Sequence, residues 1–200
     1  MNIYGVILKY FVIFTLFNQL NLNNMKIELK KININTRMSE ETVCFSADIY
    51  VDGINIGYAS NRGQGGSTDY RANNNHASTM LMVKAEKFCA SLPPIQFGEE
   101  LGGGSYPNSL EYFIDDLIYA EEKRKDALKF SKQMKKDMLK GIIFGTMAGY
   151  RIITWKGHTI ESLMRHPQGP AAIKKAIDKI KLELRDGQRI LNTNLGDLLK

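Results

Sequence analysis

The chain has 200 residues, of which 44% are apolar, and its formal net charge is +6. This composition excludes a globally disordered chain and provides enough apolar surface for a folded core. The two cysteines, Cys44 and Cys89, exclude a disulfide framework, and the absence of a C-x-x-C pair excludes a zinc ribbon or a redox motif. We therefore expect reduced thiols and a cytoplasmic protein.

The first 24 residues differ in composition from the rest. Residues 3–17 are mostly apolar with only Lys9 charged, but they are shorter than the roughly 20 residues that span a membrane. A clear cleavage site for a secretory signal is also missing. We predict that Met25 is the functional start, that residues 1–24 lie outside the fold, and that residues 25–200 form a single domain. A membrane anchor, a signal peptide and an ordered extra helix are the alternatives.

A strand pattern starts at Ile27. Ile27 and Leu29 alternate with charged residues, and the phase then changes at Ile32 and Ile34, which indicates a bulge or a strand end. We predict that this segment is the first strand of an antiparallel meander.

The next two strands form the clearest hairpin signal in the chain. Residues 43–51 alternate between apolar and polar, which predicts a strand with one buried face. Asp52-Gly53 follows directly, and this dipeptide suits a tight hairpin turn. Ile54, Ile56 and Tyr58 then predict the returning strand, with these three residues on one face.

A glycine-rich loop follows over residues 61–71. Its glycines free the backbone for unusual conformations, and successive amides in such a loop can form a nest for an anion. Its arginines suit a bidentate clamp on a phosphate or carboxylate. The loop matches neither G-x-G-x-x-G nor a P-loop, so a plain connection is the alternative. The predicted ligand-binding residues are Asn61, Arg62, Gly63, Gly65, Gly66, Ser67, Thr68, Tyr70, Arg71 and the nearby His76.

Three motifs in this region carry a resemblance. They are S-E-E-T at residues 39–42, F-x-A-x-x-x-x-D-G at residues 45–53, and G-Y-x-x-N-x-G-x-G-G at residues 57–66, followed by Tyr70. This order resembles a group of small, mostly uncharacterised bacterial and phage proteins, and the resemblance continues through I-L-N-T-N-L at residues 190–195. It implies no established activity. Where such proteins often carry Cys and His, this chain has Ser67 and Arg71, so we expect no metal there.

Helix signals begin at residues 73–75, whose asparagines suit a helix start. The predicted helix ends before Pro93-Pro94, and one of its faces is marked by Ala77, Met80, Leu81, Lys84 and Phe88. Residues 93–107 are predicted to form a long loop without regular structure. Pro107-Asn108-Ser109 then begins a helix of about 30 residues, which starts with the stripe Leu110, Phe113, Ile114, Leu117 and Ile118.

The second half of the long helix is rich in lysine. Five of the lysines share one face because they are three or four residues apart, namely Lys125, Lys129, Lys132, Lys136 and Lys140. Residues 108–200 hold eighteen basic and twelve acidic side chains, so the whole positive surplus lies in that half. The face is either a solvated surface or a track for phosphates.

The remaining pattern predicts a second hairpin and two more helices. Residues 141–145 and 150–155 read as strands, Thr159 caps a helix over residues 160–165, and Gly169-Pro170 begins a last helix that ends at Gly187. The predicted fold class is α+β: an N-terminal antiparallel meander and a later hairpin, packed with about four helices.

The motifs of the chain lead to three hypotheses about function. The first is non-catalytic binding of a small anionic ligand, a nucleotide or phosphate, at the glycine loop; given the resemblance, a phage protein that sequesters a host signalling nucleotide is one such use. The second is a nucleic-acid-binding accessory protein that uses the lysine-rich helix. The third is a hydrolase that uses Glu40, Glu41 and His76. We expect no cofactor, no metal and no membrane partner, and self-association stays open.

Overall fold

The computed structural model describes residues 25–98 and 103–199, so the prediction about residues 1–24 lies outside the described residues. The described chain forms two compact units, residues 25–125 and residues 126–199. The predicted α+β fold class is confirmed. The prediction that residues 25–200 behave as a single domain stays a prediction.

The first unit contains a four-stranded antiparallel sheet in the order β1-β2-β3-β4, whose strands are β1 Ile27–Ile34, β2 Phe45–Val51, β3 Ile54–Asn61 and β4 Asp69–Ala72. The predicted alternation of β2 is confirmed, because Phe45, Ala47, Ile49 and Val51 are all buried. Asp52 and Gly53 form the turn with φ values of 49° and 83°, as a tight hairpin requires. The predicted phase change in β1 is a bulge between Lys30 and Asn33.

Two predictions about this sheet are wrong. Tyr58 does not share the buried face of Ile56, because a bulge beside Ile56 shifts the register of β3, and Tyr58 is 45% exposed. Residues 69–72 are not loop, because they pair with β3 as a fourth strand, which shortens the glycine loop to residues 62–68. Periodicity cannot reveal either event, since each depends on pairing with a neighbouring strand.

Two helices cover one face of this sheet: α1 His76–Ala90 and the first part of α2 Leu110–Lys140. The predicted apolar face of α1 is displaced by about one position, because Ser78, Met82, Ala85 and Cys89 are buried whereas Met80 is 48% exposed. The predicted stripe at the start of α2 is confirmed. Residues 93–107 are not wholly irregular, since β5 Ile95–Phe97 pairs with β6 Gly104–Tyr106.

The second unit contains the end of α2, a three-stranded sheet in the order β8-β7-β9, and two further helices. Its elements are β7 Gly141–Thr146, β8 Gly149–Thr154, α3 Ile160–Arg165, α4 Gly169–Glu183, β9 Arg189–Ile190 and a short 3-10 helix, Gly196–Leu199. The predicted hairpin and both helices are confirmed, but α4 ends before Gly187, and β9 has no sequence signal because it is two residues long.

The I-L-N-T-N-L segment joins the sheet of the second unit to the C-terminal end of α2. The buried Asn192 accepts a hydrogen bond from the amide of Ile143 at 2.7 Å and donates to the carbonyl of Gly141 at 3.0 Å. Asn194 donates to the carbonyl of Met138 at 2.9 Å. The last carbonyls of a helix have no partner within the helix, so these side chains complete the C-terminus of α2.

Candidate functional site

Asn61 organises the glycine loop from its buried position at the end of β3. Its side-chain oxygen accepts hydrogen bonds from the amide of Gly63 and the hydroxyl of Thr42, both at 2.8 Å. Its amide nitrogen donates to the carbonyl of Gly66 at 2.9 Å and to the hydroxyl of Thr68 at 3.3 Å. One side chain therefore connects both ends of the loop with the segment that precedes β2.

Gly63 makes the second connection between the same segments. Its carbonyl accepts hydrogen bonds from the amides of Glu40 at 2.8 Å and Glu41 at 3.1 Å. Its φ of +87° favours glycine, and a Cβ would collide with the carbonyl oxygen of Met38 and lie 2.8 Å from the Cβ of Cys44. The S-E-E-T and N-x-G-x-G-G motifs therefore supply hydrogen-bond partners for each other, and this mutual support explains why both motifs occur in the chain without invoking a ligand.

The far end of the loop is held by the first two turns of α2. The amide of Thr68 donates to a carboxylate oxygen of Glu111 at 3.1 Å, and its hydroxyl donates to Asp115 at 2.6 Å. Asp115 lies four residues after Glu111 and so on the same face of the helix. The amide of Gly65 also donates, to the hydroxyl of Thr42 at 3.3 Å. The amides of Gly63, Gly65 and Thr68, which were predicted to form a nest for an anion, therefore already have acceptors within the protein.

The surroundings of this network are acidic. Burial raises the pKa of Asp115, an effect that the hydrogen bond from Thr68 opposes and the nearby charge of Glu111 adds to. Tyr70 donates its hydroxyl to Glu86 at 3.1 Å, and burial together with that carboxylate raises the pKa of Tyr70 to about 12. A second anion gains little from this side of the loop, since carboxylates occupy it.

The outer side of the loop is different. Arg62, Gly66, Ser67 and Arg71 are exposed, and a Cβ on Gly66 would meet no atom within 4 Å. Arg71 lies on β4, opposite Tyr58 of β3, and the exposed Asp69 lies on the same strand two residues nearer to the glycine loop. A carboxylate therefore stands between Arg71 and the loop tip that carries Arg62 and Ser67.

His76 and the two glutamates are not brought together. β4 leads away from the glycine loop, so that Ala72 pairs with Gly57 and Asn73 bonds to Ile56 near the hairpin turn. The exposed His76 begins α1 at that end of the sheet, whereas Glu40 and Glu41 bond to Gly63 at the other end. Proximity in sequence to the loop does not place His76 in the loop.

The five lysines of the long helix also differ from one another. Lys125 belongs to the first unit, where its ammonium lies 3.7 Å from Glu121 and 3.4 Å from the carbonyl of Ile32. In the second unit Lys129 pairs with Asp126 at 3.4 Å, and Lys140 lies 3.9 Å from Asp137. Lys132, Lys136 and the neighbouring Lys135 are exposed, and among the described residues no carboxylate lies within 4.0 Å of their ammonium groups.

Sequence reasoning missed Thr42, Glu111 and Asp115, which hold the loop, and Asn192, which holds the end of α2. Thr42 and Asn192 each had a signal, since they lie within the S-E-E-T and I-L-N-T-N-L motifs. Glu111 and Asp115 had none, because a carboxylate in the first turns of a helix is ordinarily a favourable partner for the helix dipole.

The described residues include no group of three or more His, Cys, Asp or Glu side chains placed to hold a metal ion. No helix within that part of the chain has the length and apolar character needed to cross a membrane. No family model matches the chain, and no curated protein or solved structure is significantly similar to it, so the resemblance to bacterial and phage proteins stays a prediction.

Proposed function

We propose that residues 126–199 bind nucleic acid through the exposed lysines of the second half of α2. The observation that carries the proposal is the division of charge between the two units. Residues 126–199 hold 14 basic and 7 acidic side chains, a net charge of +7, whereas residues 25–125 hold 11 and 14, a net charge of −3. A compact unit with this excess attracts a polyanion over several ångströms of solvent.

The α2 surface, by which we mean Lys132, Lys135 and Lys136, supports the proposal. These side chains are exposed and lie within one turn of each other on a regular helix, with no carboxylate within 4.0 Å among the described residues. An ammonium without a close carboxylate is available to replace a counterion on a phosphate. Lys129 and Lys140 flank them, and the row spans roughly 16 Å at 1.5 Å per residue.

The test is the salt dependence of binding to a short DNA duplex. Three phosphate contacts predict that the logarithm of the binding constant falls with a slope of about 2.7 against the logarithm of salt concentration. Wild type should bind at low salt, and the triple variant K132E/K135E/K136E should lose binding. No binding of wild type to duplex or single-stranded nucleic acid at low salt would refute the proposal.

A matched control comes from the first unit. Lys84, Lys87 and Lys123 are exposed, and K84E/K87E/K123E changes the net charge of the chain by the same amount. If the affinity for DNA depends on the α2 surface, K84E/K87E/K123E should keep most of the wild-type affinity. Equal losses in both triple variants would show that overall charge, not this surface, determines the affinity.

The outer side of the glycine loop supports a second candidate, binding of a small phosphate-containing anion. The observation that favours it is the open main chain at Gly66 beside the exposed Arg62 and Ser67. Calorimetric titration of inorganic phosphate and a panel of nucleotides tests it. Binding that Arg62→Ala weakens by roughly tenfold or more, the value of a charge-assisted hydrogen bond, supports the candidate. No heat of binding across the panel eliminates it.

A further inference from the structure

We propose that the second unit carries two separate phosphate-binding surfaces on opposite sides of its sheet, so that one molecule bridges two nucleic acid segments. The inference rests on the proposed function and adds the geometry of the partner: two double-stranded segments held by one protein. The first surface is the α2 surface. The second, which we call the α4 surface, consists of the exposed Lys175 and Lys179, with the half-buried Lys174 beside them.

The central strand β7 shows that the two surfaces face opposite ways. Ile143 packs with Met134 and Met138 from the end of α2. Its neighbours Ile142 and Phe144 pack with a different cluster, which contains residues of α3 and α4 such as Leu163 and Ile177. Because successive side chains of a strand point to opposite faces, α2 covers one face of the sheet and α3 with α4 covers the other.

Two lysines of α4, Lys175 and Lys179, lie on the side of the helix that faces away from the sheet. Ile173, Ile177 and Ile180 are fully buried and mark the inner face of the helix. Lys175 and Lys179 are exposed and are one turn apart, so they share the outer face. Lys179 lies 4.0 Å from Glu183, at the limit of an ion pair, and Lys175 has no carboxylate within that distance among the described residues.

Charge on the α4 side is comparable to that on the α2 side. Residues 156–183, which lead into and form α3 and α4, hold six basic and three acidic side chains, and residues 126–140 hold five and two, so the net charge is +3 on each side. A helix, a sheet and a second helix each add roughly 10 Å, so the two surfaces lie about 30 Å apart. A duplex that contacts one surface therefore leaves the other directed at solvent and available to a second duplex.

The experiment captures one duplex with another. A biotinylated duplex is bound to beads, the full chain is added at low salt, and retention of a fluorescent second duplex is measured. Wild type should retain it. The variant K174E/K175E/K179E should still bind a single duplex in solution but retain about tenfold less of the second, because the contacts to phosphate on that side are lost. The neutral variant K174Q/K175Q/K179Q, with folding checked by circular dichroism, should show the same loss.

The outcomes separate the inference from the proposed function. If wild type binds one duplex but retains no second duplex, bridging is refuted and the proposed function stands. If wild type binds no duplex at all, both fail. If both α4-surface variants retain the second duplex as well as wild type does, bridging arises from self-association through another surface, and the inference is overturned.

Discussion

Gly63 and Gly66 lie three residues apart in one loop, yet the structure predicts opposite responses to a Cβ atom. At Gly63 the φ is +87°, and a Cβ would collide with the carbonyl oxygen of Met38. At Gly66 no positive φ is found, and a Cβ would meet no atom within 4 Å. We therefore expect Gly63→Ala to destabilise the fold strongly and Gly66→Ala to leave it nearly unchanged.

The magnitude for Gly63→Ala has two parts. A left-handed backbone conformation costs an alanine about 1–2 kcal/mol relative to glycine. Relief of the collision must move Met38 or Gly63, which disturbs the hydrogen bonds that the Gly63 carbonyl accepts at 2.8 Å and 3.1 Å. Each such bond contributes about 0.5–1.5 kcal/mol. The expected loss in the free energy of unfolding is therefore about 2–5 kcal/mol, which corresponds to a fall in Tm of roughly 4–20 °C for a chain of this size.

Urea denaturation of wild type and both alanine variants measures these differences, with circular dichroism as the signal. The same samples should be titrated with phosphate and nucleotides. Equal stability of the Gly63→Ala variant and wild type would refute the reasoning that this loop is held by internal hydrogen bonds and close packing. A large loss for Gly66→Ala would refute it as well, since the structure leaves open space there.

Two further predictions concern buried polar groups in each unit. Asn192→Ala should lower the free energy of unfolding by about 2–4 kcal/mol, because it leaves the amide of Ile143 and the carbonyl of Gly141 without the side chain that bonds them. Asn194→Ala, at an exposed position, should lower it by less, and urea denaturation of both variants measures the difference. Folding raises the pKa of Tyr70 from 10.0 to about 12, so the hydroxyl of Tyr70 loses its proton at lower pH in the unfolded chain than in the folded one. The contribution of Tyr70 to the free energy of unfolding is therefore complete below pH 10 and is lost as the pH rises towards 12. The stability of Tyr70→Phe should therefore decline less than that of wild type over this interval, and parallel declines in urea midpoints would contradict the assignment.

The sequence predicted the elements whose signals are local. β2 and its turn follow from strict alternation and from Asp52-Gly53, and the start of α2 follows from an apolar stripe with helical spacing. Both signals express contact with a buried surface, and they need no knowledge of which element supplies it. The long helix was predictable to its full length because no glycine or proline interrupts it.

Features that depend on pairing between distant segments were not predictable. β4 and β9 are short strands whose residues carry little alternation, and they exist because β3 and β7 offer free edges for pairing. The buried face of α1 was displaced by a position because Ser78 is buried and Met80 is exposed, against their ordinary preferences. Only the neighbouring sheet decides which side of that helix is covered.

By itself, the sequence determined the fold class, the hairpin, the long helix and the concentration of lysine near its end, since each is a property of spacing and composition. The tertiary structure decided what the glycine loop does with its amides. From sequence alone, the amides of a glycine-rich loop look free to bind a ligand. In the folded chain Asn61, Thr42 and Glu111, which come from three separate segments, accept the hydrogen bonds of three of these amides. The structure also decided which lysines remain available, because carboxylates lie beside Lys129 and Lys140, whereas none lies within 4.0 Å of Lys132, Lys135 or Lys136 among the described residues.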